Sequence, residues 1–357
     1  MVLDDDNKKL FRMIVVFVCL AIIAFFLKIN FVSLTPTGDY TTYIETAKFF
    51  SGTNEPNIYH YRILKPLQPV ITTFLNIFTE DFDQAFMLQV FIFYLLITVV
   101  SVVFFREFFN RDRFLTAAGA AMFLFSFPML GFGLNLFTET GGWFFYLLAL
   151  FLTLKFLKKP SEKLVWANSI VSTLGFLYKE YSIVGYIIAN LAIFFAPNLE
   201  KEKRIKYFAI LNGVFIAVNI FWQAIVYLKY GYTYFDWYIE GGLTGAPAVY
   251  NFWFIKRSFF AILLLGWAFV PAALLSINKL DSINKKFLYL LITVPFICLL
   301  WGGVSSRLFY VTAPGLIILS ILGIDRVLRN IFLKYILLAT IILVNILFLV
   351  KGSMYTL

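Results

Sequence analysis

The sequence predicts an all-α fold, a polytopic transmembrane helical bundle with short amphipathic helices in its first extracytoplasmic loop. The first observation is compositional: 61% of the 357 residues are hydrophobic, only 14% are charged, and the mean hydropathy is +0.84. A soluble domain carries about 25% charged residues. The second observation is that the apolar residues gather in blocks of about 16–22, the length of a helix that crosses about 30 Å of hydrocarbon.

The individual elements follow from these blocks in chain order. About eleven spans are predicted (range about 9 to 12), at 13–31, 86–105, 114–134, 141–157, 164–178, 181–196, 207–229, 258–276, 287–301, 308–325 and 331–350. The first block has no small-residue cleavage site, so we interpret it as a retained span rather than a signal peptide. Residues 164–196 form either two spans or one re-entrant hairpin, because each half has only about 16 residues.

The basic residues predict the orientation of the bundle. Most of the 30 Lys and Arg side chains fall in the short loops on the side of the N-terminus, which the positive-inside rule assigns to the cytoplasm. The formal net charge of +10 then reflects topology and anionic membrane lipids, and we expect no nucleic-acid partner. Residues 32–85 become the first extracytoplasmic loop and 230–257 a second outer loop. We expect one transmembrane domain over 1–357, without a soluble C-terminal domain.

Several kinds of chemistry are excluded. His60 is the only histidine, and Cys19 and Cys298 fall in an early and a late span, so zinc and haem sites and a structural disulfide are not expected. The inner loops are too short for a nucleotide-sugar or ATP site, and the sequence has no P-loop. Any chemistry is therefore expected outside or within the membrane.

The first outer loop contains the most polar stretch, GDYTTYIETAKFFSGTNEPNIYHYRILKPLQP at 38–69. Asp39 precedes an apolar stripe at helical spacing, formed by Tyr40, Tyr43, Ile44, Ala47 and Phe50, so it is either a helix N-cap or a functional acid.

Arg62 and Lys65 either snorkel to lipid phosphates or bind the phosphate of a membrane-bound substrate. Pro66 and Pro69 argue against a regular span at this point.

Other charged residues are predicted to reach the same face. Glu139 lies at the outer start of the fourth span, Lys179 and Glu180 lie between two short helices, and Arg307 lies at the outer end of the tenth span. Charges at such depth cost several kcal/mol unless they are paired or face a wet cavity. Lys179 and Glu180 either neutralise each other or belong to a site. In the second outer loop, Asp236 and Glu240 lie either on a mobile lid or on an ordinary loop.

The order of these motifs resembles the GT-C superfamily of polytopic glycosyltransferases, which use polyprenyl-phosphate sugars such as dolichyl-phosphate mannose. The segments that carry the resemblance are GDY, YRILKPLQP, FTETGGWFFYLLAL, LYKEYSIV and SSRLFYVTAPGLIILSILGIDRVL. The resemblance implies an acid of the first outer loop at the catalytic centre, which here is Asp39. Many members have two adjacent acids, whereas this chain has Glu45 six residues later, so that the second acid is Glu45, Glu139 or Glu180. This departure also weakens the case for a divalent metal, and no cofactor is required.

The predicted roles follow from the chemistry of glycosyl transfer. Asp39 is expected to deprotonate the acceptor hydroxyl, with Glu139 and Glu180 as further catalytic acids. The cations expected to bind the donor phosphate are Arg62, Lys65, Lys179 and Arg307. The residues expected at the acceptor or in a lid are Tyr43, Tyr61, Asp236 and Glu240. A single base predicts inversion at the anomeric carbon. The expected partners are a polyprenyl-phosphate-linked sugar, a lipid, glycan or protein acceptor, and membrane lipids.

Three other classes stay open. A lipid-linked glycan polymerase or ligase shares these substrates. A secondary transporter or flippase also uses recessed charges such as Lys179 and Glu180, although the chain has no visible repeat. A purely structural scaffold would have little reason to keep charges inside the membrane.

Overall fold

The computed structural model describes residues 5–31, 38–53, 61–197, 199–237, 266, 269–300, 307 and 310–354. All regular secondary structure in these ranges is helical. The α-helices, in chain order, are α1 (Asp5–Phe31), α2 (Gly38–Phe50), α3 (Leu67–Thr79), α4 (Phe82–Phe108), α5 (Arg113–Leu124), α6 (Glu139–Lys158), α7 (Glu162–Tyr178), α8 (Ile183–Phe195), α9 (Lys201–Tyr230), α10 (Tyr234–Trp237), α11 (Val270–Leu274), α12 (Ser282–Thr293), α13 (Ala313–Val327) and α14 (Ile331–Met354).

The lengths of these helices confirm the membrane class. Within the described ranges, six helical stretches are long and apolar enough to cross a bilayer: α1, α4, α6, α9, α14, and α13 together with the 3₁₀ turn before it. Three shorter apolar stretches are α3, α5 and the turn at 180–182 with α8. The count of about eleven spans stays a prediction, since most of the predicted span 258–276 lies outside the described residues.

Proline marks helix starts that hydropathy alone does not show. The predicted span 114–134 is α5 followed by a π-helical turn at Met129–Gly133, and Pro128 lies directly before this turn. Conversely, Pro66 and Pro69 do not prevent a helix, because α3 begins immediately after Pro66. Pro69 falls in the first turn of α3, where a missing N–H breaks no intrahelical hydrogen bond.

Short polar side chains cap the starts of other helices. Asp81 accepts hydrogen bonds from the backbone N–H groups of Asp83 and Gln84 (2.7 and 3.1 Å). Asp112 and Asp281 cap α5 and α12 in the same way, each at 2.8 Å. Such a cap stabilises a helix by about 1 kcal/mol. The helix starts are therefore encoded locally.

The core of the bundle is the pair α4 and α6. These helices pack against each other and are contacted by α1, α3, α5, α7, α8 and α12. The apolar stretch of α6 is 72% buried, whereas only 17% of that of α1 or α14 is buried. The exposed apolar faces of α1 and α14 are suited to lipid contact, because lipid tails are as apolar as leucine.

Helices α7 and α8 form an antiparallel hairpin along α6. The side chain of Asn168 in α7 donates to Thr153 near the end of α6 (2.8 Å). The tip of the hairpin is the 3₁₀ turn Glu180–Ser182, which lies beside the beginning of α6, where the hydroxyl of Tyr181 donates to the carbonyl of Glu139 (2.9 Å). With 17 and 13 residues, the two helices are about 26 and 20 Å long and shorter than a hydrocarbon core of about 30 Å.

The bundle therefore has two chemically different ends. We call the end that contains the hairpin tip, the start of α6 and the start of α4 the site end. We call the opposite end, where α4 and α6 finish and α1 begins, the basic end. Whether the site end is extracytoplasmic, as the positive-inside rule predicts, stays a prediction.

Candidate active site

Charged side chains from four distant parts of the chain meet at the site end. They come from the segment 61–65, the first turn of α6, the hairpin tip and the residue Arg307. Arg62, Lys65 and Lys179 are only 4%, 1% and 5% exposed. We call the group formed by Tyr43, Arg62, Lys65, Glu139, Lys179, Glu180 and Arg307 the charge cluster.

Glu139 connects two of the cations. Its Oε1 atom lies 3.4 Å from the Nζ atom of Lys179 and 3.5 Å from a guanidinium nitrogen of Arg307. Glu139 is 1% exposed and belongs to the first turn of α6, where the helix dipole favours a negative charge. Its second oxygen, Oε2, has no hydrogen-bond partner among the described residues.

Tyr43 of α2 lies at the centre of the charge cluster. Its hydroxyl accepts hydrogen bonds from Arg62 (2.8 Å) and Lys179 (3.3 Å) and lies 3.1 Å from the hydroxyl of Thr138. The guanidinium of Arg62 also lies over the Tyr43 ring, 4.1 Å from its centroid. One phenol therefore holds a cation from segment 61–65 beside a cation from the hairpin tip.

Lys65 is enclosed by an acid and by aromatic rings. It forms an ion pair with Glu180, and its Nζ atom lies 4.4 Å from the ring centroid of Trp237 and 5.7 Å from that of Tyr234. Burial lowers the pKa of Lys65 to about 8, opposed by the charge of Glu180 and reinforced by the charges of Arg62 and Lys179. The ammonium is therefore charged at neutral pH but close to its titration range.

Two glycines allow the hairpin tip to approach α6. A Cβ atom at Gly142 would lie 2.8 Å from the Cβ of Lys179, and one at Gly141 would lie 2.3 Å from the ring of Tyr178. Real Cβ atoms do not approach other atoms so closely. The TGGW motif is thus a contact surface that sets the distance between Glu139 and Lys179.

The structure brings the four predicted cations and two of the predicted acids into one cluster. Lys179 and Glu180 pair with different partners, Glu139 and Lys65, so the described ion pairs do not support an isolated pair between these two neighbours. Glu45 is half-buried on α2, and two residues separate by about 200° around a helix, so it lies on a different face from Tyr43. Of the three candidates for a second acid, Glu139 and Glu180 are in the cluster.

Other predicted residues are placed only in part. Asp39 lies in the first turn of α2, but its side chain is outside the described part of the structure, as is that of Tyr61. Glu240 also lies outside the described residues. The roles predicted for these three residues stay predictions.

Asp236 has a local structural contact. Its carboxylate accepts hydrogen bonds from the backbone N–H and the hydroxyl of Thr233 (2.7 and 2.6 Å), and these bonds lower its pKa. Its neighbours Tyr234 and Trp237 are the residues that contact Lys65. Asp236 was predicted from the sequence and the two aromatic residues were not, although their spacing of three places them on one helix face.

The long apolar helices of the described ranges indicate an integral membrane protein. No protein-family model and no curated protein sequence matches the chain. Among solved structures, the chain is similar to a GT-C glycosyltransferase, ArnT from Cupriavidus metallidurans, in a crystal structure bound to undecaprenyl phosphate. The TM-score is 0.66 at 14% identity, over 92% of this chain.

The chain spans 63% of the length of ArnT. At 14% identity the similarity establishes the fold and not the activity. The dolichyl-phosphate-mannose subtype that the sequence suggested stays a prediction.

Proposed function

We propose that this protein is a membrane glycosyltransferase that transfers a sugar from a polyprenyl-phosphate donor to a lipid, glycan or protein acceptor. One observation carries the proposal: Arg62, Lys65, Lys179 and Arg307, which are far apart in sequence, meet in one charge cluster. The GT-C-like fold supports it, because the similar ArnT structure is bound to undecaprenyl phosphate.

The net charge of the cluster suits a phosphate leaving group. Its four cations face two carboxylates, Glu139 and Glu180, which leaves an excess of two positive charges. A phosphodiester donor has one negative charge, whereas a released phosphate monoester has about −1.5 to −2 at pH 7. The cluster therefore matches the charge that develops as the bond to phosphate breaks, and only such differential stabilisation accelerates a reaction.

The geometry also keeps the cations in place before the donor arrives. Tyr43 holds Arg62 and Lys179, Glu139 holds Lys179 and Arg307, and Glu180 holds Lys65. A buried cation without such partners would lose its charge or move towards water. Glu139 and Glu180 are accordingly assigned as residues that position the cations.

Asp39 is assigned as the general base, by resemblance to the GT-C superfamily. Its carboxylate takes the proton of an acceptor hydroxyl, and the acceptor oxygen forms a bond to the anomeric carbon of the sugar. The bond between that carbon and the phosphate oxygen breaks, and its electron pair leaves with the polyprenyl phosphate. Direct displacement of this kind inverts the anomeric configuration, by analogy with inverting glycosidases.

Reconstituted protein tests this proposal. Proteoliposomes that contain membrane lipid extract as acceptor are given radiolabelled polyprenyl-phosphate hexoses, on undecaprenyl and on dolichyl carriers in parallel. We expect the label to move to an acceptor, and Asp39→Asn to abolish transfer while the protein elutes as a folded species. Glu45→Gln is the matched control, because it changes an acid of the same helix outside the charge cluster, and it is expected to retain transfer.

Two results would contradict the proposal. The first is full transfer by Asp39→Asn, which would remove the assigned base. The second is the absence of transfer together with uptake of a soluble solute that Asp39→Asn leaves unchanged, which would indicate a transporter.

A further inference from the structure

A second positively charged site lies at the basic end of the bundle, on the opposite side from the charge cluster. A cavity of about 360 Å³ opens there between α1, α4 and α6. Four of its lining residues are cations: Arg106, Arg111, Lys155 and Lys158. Its volume is within the range of about 300–1,000 Å³ that is usual for small-molecule sites.

The cations of this cavity exceed the acids that pair with them. Asp6 pairs with Arg111 (2.9 Å) and more weakly with Arg106 (3.9 Å), and Glu107 pairs with Lys158 (3.2 Å). Two carboxylates thus form ion pairs with three cations.

Lys155 brings the excess to two positive charges. It forms no ion pair within the described part of the chain, and its described contact is with the ring of Phe151, 5.5 Å from the centroid. Lys155 is also exposed to the surroundings of the bundle, so its charge is accessible to a ligand.

The turn after α4 presents one of these cations at the mouth of the cavity. Asn110 and Arg111 both have left-handed backbone conformations, with φ of +49° and +70°. This conformation is unfavourable for a residue with a Cβ atom. It reverses the chain at the end of α4, so that Arg111 can pair with Asp6 of α1 while 66% of its side chain stays exposed.

The remaining wall of the cavity is apolar. Leu10 of α1, Val103 of α4 and Phe151 of α6 line it. A free inorganic anion would gain nothing from these side chains, whereas the glycerol backbone and first methylenes of a lipid would pack against them. Basic pockets between transmembrane helices are a known way to bind anionic lipid headgroups.

We propose that this cavity binds the phosphate headgroup of an anionic phospholipid, with Lys155 and Arg111 contacting the phosphate and the apolar wall contacting the glycerol end of the tails. The site is separate from the charge cluster and does not depend on glycosyl transfer. Its occupation would join α1 to the core through the ends of α4 and α6.

Lipid retention by the full-length protein tests this site without any glycosyl donor. Protein in neutral detergent micelles is exposed to phosphatidylglycerol or to phosphatidylcholine, and bound lipid is counted by native mass spectrometry. We expect phosphatidylglycerol to be retained and phosphatidylcholine to be lost. Lys155→Gln should weaken retention about fivefold, the usual effect of one basic residue at an anionic membrane surface.

Lys159→Gln is the matched control, because Lys159 is also an exposed lysine of the same segment but does not line the cavity. Arg111→Gln provides an independent second variant, and it should weaken retention by a similar factor. Equal retention of the two lipids, or equal effects of Lys155→Gln and Lys159→Gln, would overturn the proposal. The proposal would also be overturned if inorganic phosphate raised the melting temperature of the protein as much as phosphatidylglycerol does. That result would indicate a site for a free anion rather than for a lipid.

Discussion

Replacement of Glu139 by glutamine gives the sharpest test of how the charge cluster is held together. The substitution keeps the shape of the side chain and removes the charge that Lys179 and Arg307 share at 3.4 and 3.5 Å. Lys179 is only 5% exposed, so its ammonium would stay buried without its carboxylate. Removal of one partner from a buried ion pair costs about 3–5 kcal/mol.

Two features of the structure place the expected cost at the lower end of this range. The hydroxyl of Tyr43 still accepts a hydrogen bond from Lys179, and the amide oxygen of a glutamine can accept another. We therefore expect Glu139→Gln to lower the free energy of unfolding by about 3 kcal/mol. The ratio of folded to unfolded protein would then fall more than a hundredfold, since a change of about 1.4 kcal/mol is tenfold in an equilibrium constant.

A double-mutant cycle in mixed micelles measures this value by reversible denaturant titration. Lys179→Met is the second substitution, and the double variant should regain much of the stability lost in each single variant, because the buried ammonium is removed together with its carboxylate. Glu107→Gln is the control: its pair with Lys158 is partly exposed, and such pairs contribute about 0.2–1 kcal/mol. A Glu139→Gln protein as stable as the Glu107→Gln protein, or strictly additive losses in the double variant, would show that Glu139 does not stabilise the buried charge of Lys179.

Three further predictions concern the surroundings of the cluster. Gly142→Ala should reduce transfer at least tenfold, because its Cβ would lie 2.8 Å from that of Lys179. Gly213 has open space around it, so Gly213→Ala should be neutral or stabilising by up to about 1 kcal/mol. Transfer assays and unfolding curves distinguish the two variants. Donor affinity should be greatest below pH 8 and fall as the pH rises through about 8, because the pKa of Lys65 is lowered to about 8 and its charged form binds phosphate. Lys65→Arg should move this fall to higher pH. An unchanged pH profile in that variant would exclude Lys65 from donor binding. Trp237→Leu should weaken donor binding about twofold to thirtyfold, because a cation–π contact contributes about 0.5–2 kcal/mol. Trp237→Phe should retain most of the affinity in the same titration.

The cations of the site could be predicted from the sequence because charge is rare in this chain. A buried Lys or Arg needs a partner or a function, so Arg62, Lys65, Lys179 and Arg307 could each be selected without knowledge of the fold. Their partners could not be predicted. Lys65 pairs with Glu180 and Arg307 with Glu139, and pairings over such sequence separations depend on how the helices pack.

The helix boundaries show a similar limit. Hydropathy located the apolar segments but did not show that the predicted span 114–134 is interrupted after Leu124, or that α3 begins directly after Pro66. Tyr234 and Trp237 were missed for another reason: 20% of the chain is aromatic, so an aromatic pair is distinguished only by the cation it contacts. The glycines of TGGW acquired a specific role only when the structure placed the hairpin tip against them.

A structure determined in the presence of undecaprenyl phosphate would show whether the charge cluster binds a lipid phosphate. We expect phosphate density within hydrogen-bonding distance, about 2.7–3.2 Å, of at least two of Arg62, Lys65, Lys179 and Arg307. Phosphate density confined to other surfaces at saturating lipid, with none in contact with the cations of the cluster, would show that the cluster does not bind the lipid phosphate.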